Sequence, residues 1–266
     1  MICQRCSFEW EDKHGSLLRC PSCKRNHIST KARFGRSADG ALRMIPLNEV
    51  EADDSDRIFS GPWDPCFGGG LVRSSVTLLG GGEGAGKSTL ALQLANAISE
   101  VTNKHVYYFA TEEANKQIRP RAERLKLKRI GQIHITDSMP EDEYEILNVL
   151  NEATDFPSLV ILDSLTGLMG INLQGSVELC KMLKLWASDV ECPVVLVEHL
   201  NKEDDFVGLR TLQYFVDSTL TLTVNEKQPQ YRILKVYKTR FGPGDIEVVF
   251  RMSKRGLKVT SQKGDY

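Results

Sequence analysis

The fold of this chain is decided by GGEGAGKST at residues 81–89, which reads Gly81, Gly82, Glu83, Gly84, Ala85, Gly86, Lys87, Ser88 and Thr89. The segment fits the pattern G-x-x-x-x-G-K-[ST], with an apolar run at 76–80 before it and a helix-forming run at 87–99 after it. Glycines let such a loop wrap closely, so that backbone N–H groups and a helix N-terminus face bound phosphates. We expect residues 81–89 to bind ATP, with Lys87 on the β- and γ-phosphates and the Ser88 hydroxyl on Mg²⁺. A glycine-rich turn without a ligand is the alternative.

Short apolar runs alternate with helical stretches on both sides of this loop. The runs are 76–80, 106–110, 133–135, 159–162 and 194–197, and helical stretches are predicted at about 87–99, 114–127, 141–152 and 176–190. Runs that are apolar on both faces are typical of parallel strands covered by helices. The alternation at 217–224 and 231–237, around a polar turn at 225–230, predicts a hairpin that extends the sheet. The fold class is therefore α/β, with a mainly parallel sheet and a C-terminal antiparallel extension.

Acidic side chains follow two of the predicted strands. Asp163 ends the run at 159–162, and Glu112 and Glu113 follow the run at 106–110. Ligands of open α/β sheets bind at the carboxyl ends of the strands. We therefore expect Asp163 to hold Mg²⁺, and one of the two glutamates, Glu112 in the first instance, to polarise the attacking water. Two solvated acids at the start of a helix are the alternative for the glutamates.

A second pattern lies at the N-terminus. Its residues are Cys3, Cys6, Cys20 and Cys23, spaced C-x2-C-x13-C-x2-C. Two such pairs complete a closed tetrahedral site, which predicts a zinc ribbon at 1–27 with Zn²⁺ as a structural ion. A redox pair is the alternative, and His14 or His27 could replace a cysteine ligand. The remaining cysteines, Cys66, Cys180 and Cys192, fit small buried hydrophobic residues better.

Length, composition and charge limit the domain organisation and the partners of the chain. The predicted organisation is a zinc ribbon at 1–27, a linker and lead-in at 28–60, an ATPase domain at 61–258 and a C-terminal tail at 259–266. Net charge is -1, so nucleic-acid binding would need local patches of positive charge. Apolar runs are all shorter than the roughly 20 residues that span a bilayer, and the N-terminus lacks the apolar core of a signal peptide. We expect a cytoplasmic protein with no membrane partner.

Several motifs together resemble the bacterial RadA (Sms) family, the RecA-class ATPases of recombination and repair. They are IPLNEV at 45–50, FGGGL at 67–71, RAERL at 121–125, EHLNKE at 198–203 (similar to the family's GHVTKE) and KTRFGP at 238–243 (similar to the family's KNRFG). The likeness runs from residue 1 to about 257 and includes the cysteine pattern. It implies a RecA-like ATPase core.

The resemblance also implies an assembly and a role. A homo-oligomer, a hexameric ring, would encircle single-stranded DNA and promote branch migration of branched recombination intermediates, with a RecA-type recombinase as a possible partner. Lys238 and Arg240 would reach the ATP site of the neighbouring subunit, and a solvated basic turn is the alternative for this pair. His199 would sense the γ-phosphate and signal to the loop that follows, in which Lys202 and Arg210 would face DNA.

The sequence departs from the family pattern in three places. Thr239 stands where the family has Asn, and the ribbon lacks the tryptophan that usually follows its last cysteine pair. The family's C-terminal Lon-protease-like domain has no counterpart after Gly256 and Leu257, so the resemblance is to a short form of the family.

Two other functions fit the same core. One is a replicative-type ring helicase. The other is a RecA-fold regulatory or assembly ATPase without a DNA role, which is favoured by the acidic residues Glu203, Asp204 and Asp205 between the two basic residues of the proposed DNA loop.

Overall fold

The computed structural model describes Met44 and residues 46–49, 56–140, 142–153, 155–168, 172–200 and 210–263. Several residues singled out in the sequence lie outside this set: Cys3, Cys6, His14, Cys20, Cys23, His27 and Lys202. The zinc ribbon and the DNA role of Lys202 therefore stay predictions. None of the helices in the described ranges is long and apolar enough to cross a membrane.

The described residues form helices and strands in alternation. The α-helices are α1 (Lys87–Thr102), α2 (Asn115–Arg124), α3 (Glu143–Glu152), α4 (Leu173–Val190) and α5 (Arg210–Gln213). The strands are β1 (Arg57–Ile58), β2 (Leu71–Val72), β3 (Val76–Gly81), β4 (Val106–Ala110), β5 (Ile133–Ile135), β6 (Val160–Asp163), β7 (Val194–His199), β8 (Ser218–Val224), β9 (Tyr231–Thr239), β10 (Glu247–Ser253) and β11 (Gly256–Lys263). Short 3-10 helices lie at Leu47–Glu49, Asp64–Phe67 and Ile130–Gln132.

One sheet organises the molecule. Its nine strands have the order β11-β10-β9-β8-β3-β7-β6-β4-β5. The strands from β8 to β5 in this order are parallel, whereas β9, β10 and β11 are antiparallel to their neighbours. The predicted α/β class, with a mainly parallel sheet and an antiparallel extension, is confirmed.

The antiparallel part is longer than the sequence predicted. A hairpin was expected, yet β10 and β11 follow it and pair along their whole length, from Ser253 opposite Gly256 to Glu247 opposite Lys263. The prediction of a C-terminal tail at 259–266 is therefore wrong for residues 259–263, which belong to β11. These outer strands have one exposed face, which carries charged residues such as Arg251 and Lys258, so they lack the continuous apolar runs of the strands that helices cover on both faces.

Helices cover both faces of the parallel strands and bury two hydrophobic clusters. Consecutive residues of β3 face opposite sides: Leu79 packs with α1 residues such as Leu92, and Leu78 packs with α4 residues such as Leu183. All six residues of β3 are buried. Strands covered on both faces need apolar residues at every position, which is why these runs stood out in the sequence.

The strand ends bring polar residues together at one edge. Gly81 at the end of β3 is in register with His199 on β7, and Asp163 on β6 is in register with Ala110 on β4. These are the carboxyl ends of parallel strands, where an α/β sheet binds its ligands.

The opposite edge joins two segments of the family pattern. Gly68 adopts φ 72°, and a Cβ there would lie 2.5 Å from the carbonyl oxygen of Phe241. Arg57 donates to the carbonyls of both residues, at 2.7 Å to Gly68 and 3.1 Å to Phe241. The Phe-Gly-Gly-Gly segment at 67–70 and the Arg-Phe-Gly turn at 240–242 therefore form one packed unit, and only glycine fits at position 68.

Candidate nucleotide-binding site

The glycine-rich loop connects β3 to α1 at the carboxyl edge of the sheet. Gly86 precedes α1 with φ 104°, and a Cβ there would lie 2.5 Å from Met252 Cε. In the described part of the chain, no side chain caps the first turn of α1. The amides of that turn are therefore available to an anion, as phosphate binding requires.

Lys87 lies in the middle of the site. Its ammonium group donates to the carbonyls of Gly81 and Gly82, at 2.7 and 3.0 Å, and lies 3.3 Å from His199 Nδ1. Burial lowers the pKa of Lys87, and the carboxylates of Asp163 and Glu112 act in the opposite direction. The loop's own carbonyls thus hold the ammonium group at the place where phosphate oxygens can replace them.

The end of β6 provides a carboxylate with two hydroxyl partners. The Tyr108 hydroxyl, fully buried on β4, donates to Asp163 Oδ2, and the Ser88 hydroxyl also hydrogen-bonds to Asp163. Burial raises the pKa of Asp163, and the two hydrogen bonds act against that rise. A cleft of about 20 Å³, the size of one water molecule or small cation, lies between Ser88, Tyr108, Glu112, Glu113 and Asp163. A carboxylate and a hydroxyl are oxygen ligands that suit Mg²⁺.

The two glutamates after β4 have different partners. Glu112 accepts a hydrogen bond from the Ser164 hydroxyl through Oε1 and lies 3.0 Å from His199 Nε2 through Oε2. Burial alone would raise the pKa of Glu112, but the hydrogen bonds from Ser164 and His199 bring it below its ordinary value. Glu113 instead forms an ion pair with Arg121 at 2.6 Å. Both glutamates line the cleft beside Asp163, and Glu112 is the one that contacts His199.

His199 links the two sides of the site. With its proton on Nε2, the neutral imidazole accepts from Lys87 and donates to Glu112. The preceding residue, Glu198, is fully buried and accepts from the backbone amides of Thr166 (3.1 Å) and His199 (2.7 Å) and from the Thr166 hydroxyl (2.8 Å). Burial raises the pKa of Glu198. This glutamate fixes the end of β7 to the segment that follows Asp163.

Sequence reasoning did not assign roles to Tyr108, Ser164 and Glu198. The one signal available for Glu198 was a carboxylate inside an apolar strand, because such a residue must find partners when it is buried. Tyr108 gave no comparable signal, since an aromatic residue in a strand is ordinary core.

Lys238 and Arg240 lie at the opposite edge from the phosphate loop. Strand β9 runs antiparallel to β8, so its last residue, Thr239, is opposite Ser218 at the start of β8. The Lys238 ammonium group donates to the carbonyls of Gln213 and Val216, and burial lowers its pKa. The Arg240 side chain is half exposed and pairs with Asp217 at 3.2 Å. Neither cation reaches the phosphate loop of its own chain.

The loop expected to face DNA starts at the edge that carries the phosphate loop. Leu200 follows His199 and donates its amide to the Gly81 carbonyl at 3.1 Å. Arg210 is the first residue of α5, and its side chain is not among the described groups. The start of this loop is thus tied directly to the phosphate loop.

Comparison with known proteins identifies the family of the chain. A family model described as an AAA domain matches residues 45–205. The DNA repair protein RadA of Bacillus subtilis (strain 168) is 30% identical over 277 residues, covering 96% of this chain and 58% of the relative. RadA of Brucella abortus (strain 2308) is 36% identical over 287 residues, covering 99% of this chain and 60% of the relative. The chain thus spans less than two thirds of the length of these relatives.

A solved structure supports the fold. The crystal structure of the RadB recombinase superposes with a TM-score of 0.61 at 21% identity, covering 74% of this chain and 96% of that chain. At this identity the likeness bears on the fold alone, and it confirms the expected RecA-like core. The chain therefore belongs to the AAA domain family and is a homologue of the bacterial RadA proteins, as its motifs predicted.

Proposed function

We propose that this protein is an ATP-hydrolysing motor, stimulated by single-stranded DNA, that acts in homologous recombination and repair through branch migration of recombination intermediates. The observation that carries the proposal is the contact chain from Lys87 through His199 to Glu112, which places an ionised acceptor beside a phosphate loop. Membership of an ATPase family and similarity to DNA repair proteins support it.

Nucleotide binding begins with the loop and its lysine. Phosphate oxygens would replace the carbonyls of Gly81 and Gly82 as partners of Lys87, and the first-turn amides of α1 would donate to the same phosphates. Mg²⁺, held by Asp163 and Ser88, would neutralise charge on the phosphates. Glu112 would accept the proton of the attacking water, since its pKa is lowered and it is ionised at neutral pH.

His199 would report the state of the site to the loop that follows it. It contacts both Lys87 and Glu112, so a γ-phosphate that engages Lys87 must change the partners of His199. The next residue, Leu200, leads into the loop with Lys202 and Arg210, for which we propose the DNA contact. The acidic residues in that loop favour a second candidate function, a regulatory ATPase without a DNA role.

Assembly would complete the site. Lys238 and Arg240 lie at the far edge of the sheet, so they can meet a phosphate loop only when it belongs to another copy of the chain. We propose a homo-oligomer, a hexameric ring, in which this pair stabilises negative charge in the neighbouring site. The cysteine pairs at 1–27 would hold a structural zinc ion.

DNA stimulation distinguishes the candidate functions. We expect the ATPase rate of the wild-type chain to rise at least about tenfold with saturating single-stranded DNA, because loop and site are joined through His199. The measurement is steady-state ATP hydrolysis over a series of salt concentrations, with Lys87→Ala as the inactive control. If DNA did not change the rate and no salt-sensitive DNA binding were found, the chain would instead be a regulatory ATPase without a DNA role. Unwinding of forked duplexes without a recombinase would indicate a replicative-type helicase instead.

The Tyr108 hydroxyl gives a second prediction. Tyr108→Phe removes one hydrogen bond that orients the Asp163 carboxylate, so we expect the Mg²⁺ concentration for half-maximal ATPase activity to rise about tenfold. The rate at saturating Mg²⁺ should change little. Tyr107→Phe is the matched control, because Tyr107 is the adjacent, partly exposed tyrosine and stacks on His105 and His134 away from Asp163. Identical Mg²⁺ titrations for Tyr108→Phe and wild type would show that this hydroxyl does not orient the metal ligand.

A further inference from the structure

The start of β9 lies beside the phosphate loop and places an arginine on its outer side. Arg232 Nε donates to the carbonyl of Ala85 at 2.8 Å, and Nη2 lies 3.5 Å from the carbonyl of Gly84. Nη1 donates to the carbonyls of Tyr231, at 3.1 Å, and Pro229. One guanidinium group therefore binds carbonyls of the loop and of the turn before β9 at the same time.

These contacts can fix the direction in which the amides of the phosphate loop point. A loop that turns successive N–H groups inward towards phosphates turns carbonyls outward, and those carbonyls need donors where water is excluded. Ala85 is 1% exposed, so its carbonyl depends on a protein donor. The Arg232 side chain is partly buried in making these contacts, and burial lowers its pKa.

The strand that carries this arginine is held on both sides. Arg232 is in register with Val224 on β8 and with Phe250 on β10. Met252 on β10 closes over Gly86, at the end of the same loop. The antiparallel extension of the sheet therefore contacts the outer side of the phosphate loop. These contacts come from residues outside the glycine-rich pattern at 81–89.

We propose that Arg232 is a positioning residue for nucleotide binding. It holds the carbonyls of Gly84 and Ala85 so that the loop amides are already arranged for the phosphates of a nucleoside diphosphate or triphosphate. The proposal rests on the proposed ATPase function and adds a residue to its site. It assigns Arg232 an effect on affinity and not on chemistry, because Arg232 contacts backbone carbonyls of the loop and of the turn and none of the groups assigned to hydrolysis.

The test is nucleotide affinity measured separately from turnover. For Arg232→Ala we expect the Kd of ADP, titrated by fluorescence with a labelled ADP, and the KM of ATP to rise about tenfold, while kcat stays within about twofold of wild type. Arg232→Lys should give an intermediate Kd, because one ammonium group cannot bind the loop and the turn together. Arg251→Ala is the matched control, since Arg251 is an exposed arginine on β10 opposite Tyr231, and its ADP affinity should equal that of wild type.

The outcomes separate this proposal from the proposed function. An unchanged Kd for ADP in Arg232→Ala would overturn the positioning role, and so would a fall in kcat at unchanged Kd. If the alanine variant does not fold, as shown by its thermal melting curve, Arg232→Lys decides by the same two criteria. A wild-type chain that bound neither ADP nor ATP would overturn the proposed function, and this proposal with it.

Discussion

Glu112→Gln is expected to lower the rate of ATP hydrolysis at least about 100-fold and to leave ATP binding nearly unchanged. Glutamine keeps the shape of the side chain and can still meet the Ser164 hydroxyl, but it cannot accept a proton from water. General-base catalysis contributes about 10²–10⁴-fold in rate, which sets the size of the loss. Pre-steady-state and steady-state hydrolysis assays, together with ATP titration of the variant, measure the two effects separately.

Glu113→Gln is the control supplied by the chain itself. It makes the same chemical change one residue further along, but Glu113 pairs with Arg121 and not with His199. Losing a partly exposed ion pair of this kind has a small effect, so hydrolysis should stay within about threefold of wild type. If Glu113→Gln were the more damaging change, the assignment of the base would move to Glu113.

The sequence was informative where burial restricts residue choice. Strands β3, β6 and β7 are covered by helices on both faces, so they need apolar residues throughout and stand out as runs. The outer strands β10 and β11 have one exposed face, and in β10 the buried residues Val248 and Phe250 alternate with less buried ones such as Arg251. This alternation covers only a few apolar positions, so it is a weaker signal than the continuous apolar runs of the covered strands.

The position of the site could be predicted, but its supporting contacts could not. Strand topology alone places Gly81, Asp163 and His199 at one edge, because parallel strands end together. By contrast, the contact of Tyr108 with Asp163 spans 55 residues of sequence, and that of Arg232 with Ala85 spans 147. Such pairs depend on strand order and side-chain direction, which no local pattern encodes. The different partners of Glu112 and Glu113 likewise could not be predicted from the sequence.

The largest effect outside the phosphate loop is expected for Arg240. Arg240 lies at the opposite end of the strands from the phosphate loop of its own chain, so the role that we propose for it requires contact between copies. A head-to-tail contact brings one edge of a subunit against the opposite edge of the next. An arginine supplied across such an interface contributes about 10³-fold or more to hydrolysis. We therefore expect Arg240→Ala to lose nearly all DNA-stimulated ATPase activity.

Loss of activity alone would not separate this role from a structural one, because Arg240 pairs with Asp217. Lys184→Ala is the matched control: Lys184 binds the same Asp217 oxygen at 2.6 Å, so its removal tests the ion pair while Arg240 stays in place. This variant should keep most of the wild-type rate. A comparable loss in Lys184→Ala would attribute the effect of Arg240→Ala to the fold.

Mixing inactive variants tests whether Arg240 acts between chains. Arg240→Ala subunits keep an intact phosphate loop, and Lys87→Ala subunits keep an intact Arg240, so a mixed assembly contains some interfaces with both. We expect activity to return on mixing, measured as DNA-stimulated hydrolysis, in proportion to the share of such interfaces. Co-assembly is established in the same samples by cross-linking of differently labelled subunits. Mixed assemblies that form and stay inactive would show that Arg240 does not serve the site of its neighbour.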